Sequence, residues 1–207
     1  MKAVLKVGVV AIALAASSVA CAQGYIVGSV GSSTIAADKG RLDGILTTAG
    51  AAALQSTLDK RDTGYKVQGG YQFSPNLAVE GGWVDLGKFN YSATFTGGNA
   101  QFDAKASGFN VAALGVLPLN QTVSLFGKLG VIYAKVEANA RAVGAGGAAW
   151  ASASDSNWKP TWGLGGTFNV NKQIGIRAEY EQFSKLGGTN TGKGNVDLLS
   201  VGVVFKF

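Results

Sequence analysis

The stretch Val196-Asp197-Leu198-Leu199-Ser200-Val201-Gly202-Val203-Val204-Phe205-Lys206-Phe207 closes the sequence. Side chains of a β-strand point alternately to two faces, so residues two apart share a face. Leu199, Val201, Val203, Phe205 and Phe207 form one wholly apolar face. Ser200, Gly202 and Lys206 lie on the other, which is small or polar. A soluble barrel turns such an apolar set inward, whereas a narrow membrane barrel turns it outward to lipid. The stretch alone leaves both open.

Seven further segments repeat the pattern. Tyr65, Val67, Tyr71 and Phe73 alternate with Lys66, Gln68 and Gln72, and Leu77, Val79 and Trp83 alternate with Ala78, Glu80 and Val84. Val123, Leu125, Leu129, Val131 and Tyr133 alternate with Ser124, Lys128 and Gly130, a polar set that Phe126 and Ile132 interrupt. Trp162, Leu164 and Phe168 alternate with Gly163, Thr167 and Asn169, and Ile174, Ile176 and Tyr180 with Arg177, Glu179 and Glu181. Phe109 to Gly115 is a weaker strand, and Tyr25 to Gly31 the weakest, its inward face undetermined. The count is eight, an even number that lets an antiparallel sheet close with no unpaired edge in lipid.

The connections supply orientation. Ser74-Pro75-Asn76, Pro118 to Gln121 and Asn169 to Lys172 are short. Ile35 to Asp62, Ser92 to Ala104, Ala138 to Asn157 and Leu186 to Asn195 are long, and the two kinds alternate. Membrane barrels have short periplasmic turns and long external loops, so both chain ends fall on the periplasmic side. A soluble up-and-down barrel has no reason to sort its loops this way. Tyr71, Phe73, Phe168, Phe205 and Phe207 then fall at the periplasmic interface, and Trp83, Phe89, Tyr91, Tyr133, Trp158, Trp162 and Phe183 toward the external one. That placement reads as two aromatic girdles. In the first external loop Leu42, Ile45, Leu46 and Ala49 have helical spacing within Lys39–Leu58, which predicts a short helix weakened by Gly40, Gly44 and Gly50. Ala142 to Ala153 is low in complexity and reads as a mobile loop.

Residues 1–22 read as a signal peptide and 23–207 as the barrel. Lys2 and Lys6 precede the apolar run Val7–Ala16, which is too short to span a bilayer as a helix. Ala20-Cys21-Ala22 offers small residues for cleavage before Gln23. A rival reading anchors Cys21 to lipid, but Ser18 stands where that signal wants a Leu-like residue. Without Lys2 and Lys6 the 18 basic residues fall to 16 against 12 acidic, a net charge of +4. This mild excess suits a solvated surface or anionic lipid phosphates. Export and the absence of a basic run exclude nucleic acid. The exported chain has no Cys and no His, which removes disulfides and thiolate or imidazole sites.

Chemistry is confined to the inward face. Lys66, Glu80, Lys128, Arg177, Glu179 and Glu181 point there, and an eight-strand barrel is only wide enough for side chains to fill. Unpaired charge in that space costs several kcal/mol. Glu80 and Glu179 are therefore expected to pair with Arg177 and Lys128, with Lys66 and Glu181 nearer the outer mouth and Lys206 nearer the periplasm. The cluster reads either as a gate that rearranges to pass small solutes or as a fixed polar plug, and the narrow lumen favours the plug. Small outer-membrane hydrolases and acyltransferases use a His base, which is missing here. Glu179 and Glu181 beside Arg177 read as ion-pair partners rather than as an acid/base pair. Gly144 to Ala149 matches a dinucleotide fingerprint loosely but lacks its flanking strand and helix. No catalytic, cofactor or metal site is expected.

Gly64-Tyr65-Lys66 to Gly70-Tyr71-Gln72-Phe73, Leu77 to Gly87, Arg177-Ala178-Glu179-Tyr180 and Val201 to Phe207 together resemble the transmembrane domain of the outer membrane protein A family. The resemblance spans Gln23–Phe207. It implies an all-β, eight-stranded antiparallel up-and-down transmembrane β-barrel of a Gram-negative outer membrane. It also implies insertion by the outer-membrane assembly machinery, which reads the closing strand with Phe205 and Phe207. Family lumen charges carry over onto Glu80, Lys128 and Arg177, with Glu179 beside them. Longer members continue into a peptidoglycan-binding domain, so cell-wall anchoring is not carried over to a sequence ending at Phe207. The expected role is a porin-like or structural monomeric barrel in contact with outer-membrane lipid and lipopolysaccharide. Two alternatives stand beside it: a surface adhesin or ligand-binding barrel acting through its external loops, and a soluble secreted calyx with Val201, Val203 and Phe205 inside.

Overall fold

The computed structural model describes residues 23–36, 39–144, 147–189 and 191–207. The signal peptide expected over 1–22, with Cys21, lies outside them, as does part of the Gly144–Ala149 stretch. Nine strands and one helix follow in order: β1 (Gln23–Ile35), α1 (Lys39–Thr48), β2 (Gln55–Asp59), β3 (Arg61–Ser74), β4 (Leu77–Phe95), β5 (Gly98–Pro118), β6 (Val123–Gly144), β7 (Gly147–Asn169), β8 (Ile174–Gly188) and β9 (Gly192–Lys206). All pairings are antiparallel between sequence neighbours around the ring, and β1 closes it against β9. β2 stands outside this ring of eight, paired only with the outer part of β4.

The facing is that of a membrane barrel. Leu199, Val201, Val203 and Phe205 are outward and about half exposed, while Ser200, Gly202 and Val204 are buried inside. The soluble calyx needed the reverse and is excluded. β1, undetermined from sequence, turns Tyr25, Val27 and Ser33 inward and Ile26 and Val30 outward. Phe126 and Ile132 do not break the alternation of β6, since both are buried inside as apolar filling.

The short turns are built by side-chain caps. Asn120 Oδ1 accepts from the N–H groups of Thr122 and Val123, and Asn171 Oδ1 accepts in the same way from Gln173 and Ile174. These are Asx turns, the local chemistry that favours Asn there. Ser74 Oγ accepts from the N–H groups of Asn76 and Leu77 in the remaining turn. The closing strand is pinned by Phe207 N–H donating to the Gly24 carbonyl.

The external side differs from the expectation. A strand needs about 9–11 residues to cross a bilayer, yet β5, β6 and β7 run 21, 22 and 23 residues. Ser92–Ala104, and the described residues 138–144 and 147–157, are therefore not loops but the outer halves of two hairpins, paired from Phe95↔Gly98 and from Gly144↔Gly147. The described parts of the low-complexity stretch, Ala142 to Gly144 and Gly147 to Ala153, are strand, because a ladder is held by backbone groups and needs nothing from the side chain beyond fitting. The short helix expected within Lys39–Leu58 forms over Lys39–Thr48. Gly50, with φ +94°, donates its N–H to Thr47, and Ala51 donates to Leu46. This is the Schellman stop that glycine favours.

Two irregularities invert the facing above the membrane level. Register shifts lie between Asp85 and Lys88 on β4 and between Phe183 and Leu186 on β8, with Gly87 and Lys185 at positive φ. Below the first, even positions such as Glu80 and Val84 face inward; above it Phe89 and Tyr91 do. One extra residue in a bulge moves every later side chain to the opposite face. Phe89, Tyr91 and Phe183, expected in the external girdle, are consequently or by simple alternation buried inside. Trp83, Phe109, Tyr133 and Trp158 do face outward, as direct cross-strand partners in one row.

Candidate functional site

The inward face is layered along the axis. Nearest the periplasm lies an apolar cluster containing Tyr25, Val27, Ala78, Leu114, Phe126 and Val204. Toward the outside lies another containing Val84, Leu86, Ile132, Phe183, Val196 and Leu198. The ionised residues sit between the two. Their strands carry them there by alternation alone: Lys66 and Gln68 on β3, Glu80 on β4, Asn110 on β5, Lys128 on β6, and Arg177, Glu179 and Glu181 on β8.

The geometry is one connected network of ion pairs. Lys128 Nζ lies 2.8 Å from Glu179, 3.3 Å from Glu80 and 3.5 Å from Glu181. Lys66 Nζ lies 3.0 Å from Glu179 and 2.9 Å from Glu181. Arg177 donates to Glu80 Oε1 at 2.5 Å, and its guanidinium stands 4.6 Å from the centre of the Phe126 ring, a cation–π distance. Three cations thus face three carboxylates, a charge of zero, and every member is buried. Neutral side chains complete the set. Tyr25 O–H donates to Glu80 at 2.8 Å, the Asn110 amide donates to Glu181 at 2.9 Å, and Lys128 donates to Gln68 at 3.4 Å.

Lys66 and Glu181 lie on the outward side of this network but do not reach the mouth, because the upper apolar cluster covers them. Lys206 lies below, donating to Asn169 at 2.8 Å and bordering a periplasmic-side cavity of about 40 Å³. Sequence reasoning missed Tyr25, Asn110 and Phe126 as members of the site. The weak first strand concealed Tyr25, while Asn110 was available as the polar residue between Phe109 and Val111. Among the described residues no His, Cys, Asp and Glu gather to hold a metal ion.

A second polar cluster fastens α1 above the barrel. Asp43 accepts from Lys39 at 2.7 Å, from Ser56 on β2 and from Tyr91 on β4, each of the latter at 2.5 Å. These hydrogen bonds, Lys39 first, hold its carboxyl down to about 2. The helix is thereby fixed across the outer opening, with Leu42 and Ile45 lining a cavity of about 400 Å³ below it.

Residues 25–207 match the model of the OmpA-like transmembrane domain. Outer membrane protein A of Shigella flexneri is 28% identical over 141 residues, 67% of this chain and 38% of that protein. The Salmonella typhi protein gives the same figures. The chain therefore spans well under half the length of these curated relatives. Among solved structures, Neisserial surface protein A superposes with a TM-score of 0.56 at 14% identity, covering 89% of this chain and 97% of that one. That likeness shows the fold, an eight-stranded barrel with its apolar face to lipid. The chain belongs to the OmpA-like transmembrane domain family, non-enzymatic barrels of the bacterial outer membrane.

Proposed function

We propose that this barrel is a closed structural element of the outer membrane whose lumen is a fixed plug, and that its working surface is the pair of long external hairpins. One observation carries the reading: a charge-balanced, buried ion network lies between two apolar layers. A water column through the axis would have to cross both. Opening would separate Arg177 from Glu80 and strand each in a space of low dielectric, which costs several kcal/mol. The gate reading requires that step, and the plug reading does not. Planar-bilayer recording of the purified protein tests it, with no steady conductance expected. A steady conductance that charge reversal at Arg177 alters would establish the gate instead.

Binding through the external hairpins is the second reading, favoured by Trp150, which is 82% exposed near the tip of β7. Trimming the β6–β7 hairpin should leave barrel assembly intact and remove any adhesion. In the same view, lipopolysaccharide meets the outward aromatic row, the assembly machinery reads Phe205 and Phe207, and the barrel works as a monomer.

A further inference from the structure

At membrane level every strand of the ring has two partners, but higher up the ring is open. The β7–β8 ladder ends at Thr161↔Phe183, while β7 stays paired with β6 as far out as Gly144↔Gly147. The β8–β9 hairpin is tied to β7 once more, where Asp155 accepts from the N–H and the hydroxyl of Thr191, both at 2.9 Å. From Gly147 to Ser154 no strand among the described residues pairs with the other edge of β7. At about 3.4 Å per residue, that bare edge is about 25 Å long.

Unpaired N–H and C=O groups on an edge invite a further strand, and natural edges are blunted by Lys, Pro or bulges. In β7 those guards are Lys159 and Pro160, just above the end of the β8 ladder. Between Gly147 and Ser154 the strand is glycine, alanine, serine and tryptophan only, and all but Ala153 are exposed. In phase with buried Thr161, Ala149, Ala151 and Ala153 lie on the inner face, and Trp150, Ser152 and Ser154 lie on the outer one. Small side chains let a second strand approach, and the backbone supplies the bonds. Such an edge selects by direction more than by sequence. Two copies in one membrane send β7 the same way. A two-fold axis cannot place two parallel strands in a regular ladder, because that ladder offsets them by one residue. Copies in two apposed membranes send β7 opposite ways, and an antiparallel pair about a two-fold axis is regular.

We propose that this edge pairs antiparallel with the same edge of a second copy in an apposed outer membrane, joining cell to cell. Centred on Ala151, the pair sets Ala149 opposite Ala153 and Trp150 opposite Ser152. The proposal rests on the reading of the external hairpins as a binding surface, and commits it to one edge and one partner.

The test folds the full barrel from urea into preformed phosphatidylcholine vesicles, so that only the short turns cross the bilayer. Clustering is followed by light scattering, and folding by heat-modified electrophoretic migration. Native vesicles should cluster. Ala151→Lys vesicles alone, and Ala151→Glu vesicles alone, should stay dispersed, because like charges then face each other across the axis. Mixed, the two should cluster again. Native vesicles that stay dispersed overturn self-pairing, while leaving the hairpins able to bind another molecule. Clustering that the charges leave unchanged overturns the edge, and its loss on trimming the β6–β7 hairpin would keep the reading beneath. Should the charged variants fail to fold, single cysteines decide, since residues 23–207 contain none. Opposed strand residues lie within disulfide reach. Ala151→Cys should cross-link copies from different vesicles, and Ala148→Cys, which faces Ser154, should not. Equal cross-linking at both, or cross-links confined to copies in one vesicle, overturns the proposal.

Discussion

The two halves of the barrel interior obey the same alternation and use it to opposite ends. At membrane level, inward positions carry long charged side chains that meet across the axis and leave no room. Above the β4 and β8 bulges, inward positions carry alanine and a few rings, and room remains. The lower half is over-determined: removing one member of the network strands its partners. The upper half is held by backbone ladders and by the Asp43 cluster at its lid, so its side chains are replaceable. A barrel can thus keep a rigid, dry centre and a permissive outer chamber on the same continuous strands.

The largest effect should come from breaking the lower half. Lys128→Met removes the cation that three glutamates share. An uncompensated buried charge costs about 3–5 kcal/mol. Urea unfolding in lipid vesicles should show that loss. The same change at Lys135, half exposed and paired with Glu137 above the membrane level, should stay within about 0.5 kcal/mol. Similar losses at both sites would mean that the halves do not differ.

Crowding gives the next effect. A methyl group at Gly202, on the inner face of β9, would lie 2.4 Å from the Gly28 carbonyl and 2.1 Å from Ser29 Oγ. The backbone would have to yield, so Gly202→Ala should cost about 1–3 kcal/mol, read from the same unfolding curves. This close approach explains part of what the sequence could and could not disclose. Strict alternation made eight strands and the inward charges legible, because each charged residue sits opposite an apolar neighbour one step away. Bulges are invisible to that logic until their position is known. Asp85-Leu86-Gly87-Lys88 held the cue in Gly87, whose φ of +79° a side chain would resist. Missing it placed Phe89 and Tyr91 in a girdle. Phe183 needed no bulge to be assigned, since it shares the phase of Glu179 and Glu181, and a preference for end-of-strand aromatics overrode that phase. The length of the outer hairpins was hidden for a different reason. Alanine and serine carry little strand preference, so pairing there is decided by the strand opposite.

The lid should respond to acid in a predictable direction. Asp43 is lowered from its ordinary 3.8 to about 2 by its three donors. A group whose folded value lies below its unfolded one stabilises fully above the unfolded value and loses that contribution as pH falls through the folded one. The attachment of α1 should therefore be constant above about pH 4 and weaken toward pH 2. Carboxyl carbon NMR of Asp43 would report its titration directly. In Asp43→Asn the pH dependence of α1 docking should vanish. A midpoint near 4 in the native protein would show that Lys39, Ser56 and Tyr91 do not hold it.

The smallest effect should be a gain. Gly44 lies inside α1, and a methyl group there would meet nothing within 4 Å. Glycine in a helix interior is less favourable than alanine by about 0.8–1 kcal/mol, so Gly44→Ala should stabilise α1 by that order. Because α1 is tied to the barrel mainly through Asp43, the gain should be local. Amide hydrogen exchange should slow by roughly fourfold or fivefold across Lys39–Thr48, with the urea midpoint of the barrel unmoved. A shift of that midpoint would mean that lid and plug unfold as one unit.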